Sequence, residues 1–291
     1  MSTLEGWAIP TTVTKYADHT FVYCPDNESY FGCWAGGSIG AADAVKICTG
    51  TYENAYAVAN CYRDSLPKLP DTAGVGVYGI NGVCHQSANC FLYAAGTQLA
   101  LKDGRPGGLL ESTAAYGLYG STAPFAGPPG WAAHWAEWYP VNYWWCSGKK
   151  DNVRATSKDP IFRETHQLYE RLRTQPQAPK GADVKVSDLT ILIKHAVPGL
   201  DLGAVADLQF SYLQEHEGFL RAELSDIPEV KVIDEKSAER VNRLSAQFQK
   251  ALAQRVGPDN YLKLTGRGPS ETIELIDSRI LESAQRAPRQ R

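Results

Sequence analysis

The chain has 291 residues, 43% of them hydrophobic, and 29 basic side chains against 32 acidic ones give a formal charge of -3. That length and composition support a real core in one large domain or two small ones, and the slight acidity gives no drive toward nucleic acid or an anionic membrane. No apolar run approaches the roughly 18 residues of a membrane span. Met1-Ser2-Thr3-Leu4-Glu5-Gly6-Trp7 also lacks the basic and apolar regions of a signal peptide, so the expectation is a soluble protein made in the cytoplasm and exported, if at all, by a specialised secretion system.

Taken in chain order, Thr11 to Tyr23 alternates and is rich in β-favouring types, which predicts a strand with Ala17, His19, Phe21 and Tyr23 on one face. A histidine there is either a core residue or a base aimed at a neighbouring helix N-terminus. Tyr30 to Trp34 is short and strand-like, and Ala35 to Gly40 is a glycine loop with no Gly-Lys-Ser/Thr after it, hence no phosphate loop. Ala41 to Cys48 and Thr51 to Asp64 are each expected as helices, the second ending before Pro67 and Pro70. Gly74, Gly76 and Gly79 match the dinucleotide fingerprint only formally, because they lie in a short strand, Val75 to Ile80, and the helix starts after a further turn.

Asn81-Gly82 is a turn dipeptide, and from His85 to Leu101 the residues Ala88, Phe91, Leu92, Ala95 and Leu99 form one helical stripe. Cys84 therefore stands at a helix N-terminus. There the dipole and unpaired N–H groups stabilise a thiolate, and the same N–H groups suit an oxyanion. The bland alternative is a small buried residue, common for cysteine. Further on, Ala114 to Gly120 reads as a strand or a tight turn. Trp131 to Tyr139 reads as a strand with Ala132, His134, Ala136 and Trp138 on one face and Trp135 and Glu137 on the other. The aromatic cluster suits a core or a sugar-stacking platform.

Residues 1–148 hold all seven tryptophans and all seven cysteines; residues 149–291 are charged and periodic, which predicts two parts. Helices are expected over Pro160 to Arg173, Ser187 to His195, Asp201 to Leu224, Asp234 to Arg255 and Pro269 to Gln285, forming a bundle. In an oxidising compartment the seven cysteines allow three pairs with Cys84 left over; in a reducing one all remain thiols. With no Cys-x-x-Cys and no histidine pair at ligand spacing, neither a metal nor another cofactor is expected.

A helix-start thiolate beside a strand histidine is the arrangement of a cysteine hydrolase, with Gln86 and the first-turn N–H groups, including that of His85, available to the oxyanion. Trp34 and Trp135 are the candidate substrate-stacking residues. Asp18-His19-Thr20-Phe21-Val22 followed by Gly82-Val83-Cys84-His85-Gln86-Ser87-Ala88-Asn89 resembles the permuted NlpC/P60 branch of the papain-like superfamily, in which the strand histidine precedes the cysteine. The resemblance covers residues 11 to 146 and implies a papain-like domain over 1–148, its helix-start cysteine packed on an antiparallel sheet; with the periodic helices over 149–291, expected to serve substrate or partner recognition, the fold class is α+β. It implies amide hydrolysis by Cys84 and His19, on cell-wall peptide first; with no signal peptide at the N-terminus, the further expectation is an exported antibacterial effector with an immunity or secretion-carrier partner. No third residue orienting His19 is evident. Gly82-Val83-Cys84 followed by His134-Trp135-Ala136-Glu137-Trp138 is similar to the transglutaminase core, which implies acyl transfer or deamidation by Cys84 and His134; the aspartate expected on the next strand is missing, with Asn142 there instead. The rival from another class is a carbohydrate- or peptide-binding protein that uses the tryptophan-rich half without catalysis.

Overall fold

The structure is a computed structural model that describes residues 1–9, 19–32, 39–41, 44–65, 79, 82–94, 109–118, 160–161, 163–165, 167–168, 186–224 and 234–276. Four antiparallel strands, β1 Ser2–Ile9, β2 His19–Cys24, β3 Ser29–Phe31 and β4 Val45–Tyr52, form one sheet in the order β3-β2-β1-β4. In β1, Gly6 opposes Val22 and Trp7 opposes Phe21, while β4 pairs Thr49 with Glu5. Opposed residues share a face, so Leu4, Ala8, Thr20, Val22 and Phe31 line one side of the sheet and Glu5, Trp7, His19, Phe21 and Tyr23 the other.

Two helices, α1 Ala55–Ser65 and α2 Cys84–Ala94, cover the first side. The Phe31 ring lies 6.0 Å from that of Tyr56 in α1 and 5.3 Å from that of Phe91 in α2, and Leu4, Val22 and Phe91 are fully buried. On the other side, Glu5 accepts hydrogen bonds from Trp7 Nε1 (2.9 Å) and Lys46 Nζ, which is how a carboxylate sits only 8% exposed. The fold is thus α+β with helices on a small antiparallel sheet.

Several local expectations are corrected. Strand β1 was not expected: its inward residues, Ser2, Leu4, Gly6 and Ala8, are mostly small, so the chain shows no apolar alternation. Val45 to Cys48 is strand rather than part of the helix expected over Ala41 to Cys48. Val45, Ile47, Thr49 and Thr51 are β-branched at alternate positions, and the segment enters the sheet as β4. Ala114 to Tyr116 is not a strand but the end of α3, Leu109–Tyr116, whose residues from Leu110 onward are all buried. A helix buried all round has no polar face, and so no 3.6-residue signal. Residues 11–18 and most of Val75 to Ile80 lie outside the described residues.

The later helices are α4 Asp188–Ala196, α5 Leu202–Leu224, α6 Glu235–Val256 and α7 Pro258–Thr265. Ser187 and Thr190 form a capping box at α4, and Asp234 caps α6 by accepting from the Ser237 N–H at 2.7 Å. Gly257, at φ 83°, ends α6; Pro258 opens α7, which ends in turn at Gly266, φ 66°. Helix α6 buries Val241, Ser245, Phe248, Leu252 and Val256 against α5 and the neighbouring helices.

The helix expected over Pro269 to Gln285 is not formed at its start. Gln249 accepts from the Ile273 N–H (2.9 Å) and donates to its C=O (2.8 Å); Asn242, two turns earlier on α6, does the same with Ile276 (2.8 and 3.0 Å). The two carboxamides satisfy the backbone that a helix would have satisfied internally, and Ile273, Leu275 and Ile276 bury their side chains. The division expected between residues 148 and 149 lies outside the described residues. Across it, Val83, Cys84, Leu110 and Tyr116 belong to one buried cluster with Leu189, Val205, Val241, Leu252 and Ile276.

Two outcomes test this packing. Phe91→Ala should destabilise the protein by about 3–5 kcal/mol in urea unfolding; a loss under about 1 kcal/mol is incompatible with α2 packed on Phe31. The second concerns His216, buried between Tyr116 and Tyr212 and brought down to about 4 by burial. Its folded value lies below its unfolded value, so its contribution is complete above about pH 6.5 and is lost as pH falls toward 4. Stability should drop by about 3 kcal/mol across that window. His216→Phe should remove its share of that slope and leave the share due to buried His85, which is lost from the same pH downward; an unchanged slope would place the titration elsewhere.

Candidate active site

Cys84 is the first residue of α2, and the Ser87 N–H donates to the Val83 C=O at 3.1 Å, which makes Val83 the N-cap. Valine offers no side-chain oxygen to the amides of the first turn. Gln86 Oε1 instead reaches back to the Val83 N–H at 3.0 Å, as the third residue of a capping box does. The turn before the helix is closed by the Gly79 N–H on the Gly82 C=O, 2.8 Å, with Gly79 at φ 82°.

Helix α2 packs on β2, whose first residue is His19. Strand alternation puts His19 with Phe21, its ring 6.0 Å away, on the face opposite Val22. His19 is near enough to the first turn of α2 for its charge to act on His85. Burial, and then that neighbouring charge, bring His85 down to about 3. His85 is therefore neutral near pH 7, and its Nδ1 lies 3.2 Å from Ser112 Oγ in α3. Cys84 is 4% exposed.

Gln86 Nε2 donates to the Gly117 C=O (2.8 Å) and Asn89 Nδ2 to the Leu118 C=O (3.1 Å). The side chains of His85, Gln86 and Asn89 thus tie α2 to α3. His134, Trp34 and Trp135 lie outside the described residues. Ser112 and Asn89 were not singled out from the sequence; the signal was present as polar residues recurring inside otherwise apolar helices, a pattern that requires buried partners.

Cys24, Cys48, Cys84 and Cys90 are thiols, whereas Cys61 is in a disulfide. Of seven cysteines, four thiols leave room for one pair, which corrects both the three-pair and the all-reduced expectations. Burial pushes the Cys48 thiol up to about 12, against a lowering hydrogen bond from the Gly6 backbone. Among the described residues no group of His, Cys, Asp or Glu is placed to hold a metal ion, and no helix is long and apolar enough to cross a membrane.

The chain matches no family model, no curated protein and no solved structure.

The two bonds of Gln86 imply a structural effect that can be separated from a catalytic one. Gln86→Ala leaves the Val83 N–H and the Gly117 C=O without these partners and should lower stability by about 2–4 kcal/mol. A folded Gln86→Ala protein of unchanged stability would show that these bonds do not hold α2.

Proposed function

We propose that this protein is a cysteine-dependent amide-bond hydrolase of papain-like type in its permuted order, with Cys84 as nucleophile and His19 as base. The observation that carries the reading is that Cys84 opens a helix packed on β2 and that His19, the first residue of β2, acts electrostatically on His85, the residue after Cys84, although strand alternation puts His19 on the face of the sheet that α2 does not cover. In this reading His19 takes the Cys84 proton and the thiolate forms a bond to the amide carbon. The resulting oxyanion is met by first-turn N–H groups that the N-cap side chain does not cover. Collapse breaks the C–N bond, the imidazolium protonates the leaving amine, and water then hydrolyses the thioester to return the thiol.

A sugar-bearing peptide such as bacterial cell-wall peptide is the substrate class favoured. Rings run from His19 through Phe21 to Tyr30 and Tyr23 at 6.0, 5.9 and 4.8 Å, and Tyr30 is 40% exposed. Phe21 is buried, so it is Tyr30, with Tyr23 beside it, that offers a surface suited to the apolar face of a sugar ring.

The test is the rate at which each thiol reacts with iodoacetamide between about pH 5 and 9, read by mass spectrometry on wild type, His19→Ala and His134→Ala. Cys84 should react selectively below the ordinary thiol range, and His19→Ala should abolish that advantage; Cys48, whose thiol is pushed up to about 12, is the slow control. Loss of the advantage in His134→Ala alone would turn the reading to the transglutaminase order. If wild-type Cys84 reacts no faster than Cys48, the nucleophile is rejected and ligand binding without catalysis takes its place.

A further inference from the structure

Helix α3 is held from two sides. Toward α2, Ser112 Oγ lies 3.2 Å from His85 Nδ1, and the Gly117 and Leu118 carbonyls accept from Gln86 and Asn89. Toward the C-terminal helices, the Leu118 N–H donates to Asp188 Oδ2 (2.7 Å), Gln209 Nε2 donates to the Ala114 C=O (3.2 Å), and Glu111 Oε1 accepts from Arg267 Nη2. Glu111 directly precedes Ser112, and its side chain is fully buried.

Arg267 follows the left-handed Gly266 that ends α7, so the end of that helix aims the guanidinium inward at a carboxylate 156 residues away in sequence. Glu111 Oε2 and Arg267 Nε have no hydrogen-bond partner among the described residues. The pair is therefore joined by one bond rather than by a two-pronged fork, and its loss leaves a buried carboxylate without a counter-charge.

We propose that Arg267 is a positioning residue for the first turn of α2: by holding Glu111 it keeps α3 where Ser112 meets His85, and so sets the residue next to Cys84. The inference rests on reading Cys84 as the nucleophile. It makes the C-terminal half part of the site's scaffold as well as a candidate recognition region. Removal of Arg267 therefore acts at a distance, on the other side of α3 from the residue removed.

The test is a double-mutant cycle between Arg267→Gln and Ser112→Ala in the full chain, with two readouts: amide exchange of residues 84–92 and the pH midpoint of Cys84 alkylation. Arg267→Gln should speed exchange in the first turn of α2 by about tenfold, leave β4 unchanged and move the midpoint. On the Ser112→Ala background the same substitution should add much less, because the two residues act along one line. Arg267→Lys, which keeps the charge, should restore part of both readouts and takes the place of Arg267→Gln in the cycle if that variant does not fold.

Additive effects, or faster exchange confined to α7 and residues 271–276, would overturn the proposal. If wild-type Cys84 is unreactive, the hydrolase reading fails on its own terms and the exchange cycle still decides whether Arg267 positions α2.

Discussion

Burying α3 is the constraint on which the rest of the structure depends. A helix with no face left to water needs protein partners for its terminal carbonyls and its polar side chains; of the side-chain atoms, α3 leaves Glu111 Oε2 and Thr113 Oγ1 without one among the described residues. The solution is divided. The α2 side supplies the carboxamides of Gln86 and Asn89 at the C-terminal end and His85 opposite Ser112. The C-terminal side supplies Asp188, Gln209 and Arg267. An apolar seam runs alongside, from Val83 and Leu110 to Leu252 and Ile276. Dispersion and the hydrophobic effect draw these elements together without fixing their orientation; the directional bonds select one arrangement.

How far the fold could be read from the sequence follows the same physics. The amphipathic helices α5 and α6, with one wet and one dry face, announce themselves by period, and the caps Ser187 and Asp234 mark where α4 and α6 begin. The elements misread are those in which burial or small side chains erase the pattern. Helix α3 is dry all round, and β1 turns serine, glycine and alanine inward. The segment after Pro269 is apolar at helical spacing, yet its backbone is claimed by Asn242 and Gln249, an outcome only the tertiary structure decides. The separation into two halves by composition reflects real differences in residue usage, but composition carries no information on burial, and the cluster around α3 draws on both sides.

At the candidate site, Asn81-Gly82 and the apolar stripe placed Cys84 at a helix start, because turn chemistry and helical period are local properties. What Gln86 and His85 do with their side chains was not local. Both were natural candidates for contact with substrate, being polar at the head of an apolar helix, and both are turned toward α3 in the folded chain. A polar residue in such a place signals a buried partner; whether that partner is substrate or another helix depends on residues that are 27 and 31 positions away. Of the residues that hold the helix from a distance, Ser112 showed only as a polar residue inside an apolar helix, and Arg267 carried no signal of its own.

The grip of Asn242 and Gln249 on residues 273–276 has an evolutionary corollary. A carboxamide that reads a peptide N–H and C=O is indifferent to the side chain between them, so the alignment of this segment is specified by two residues of another element rather than by its own composition. At Ile273 and Ile276 the tolerated alphabet is limited to apolar residues that keep a backbone N–H, which admits valine or leucine and bars proline. Variation along this stretch should therefore stay apolar at 273, 275 and 276 while always keeping the backbone N–H and C=O that the two carboxamides bind.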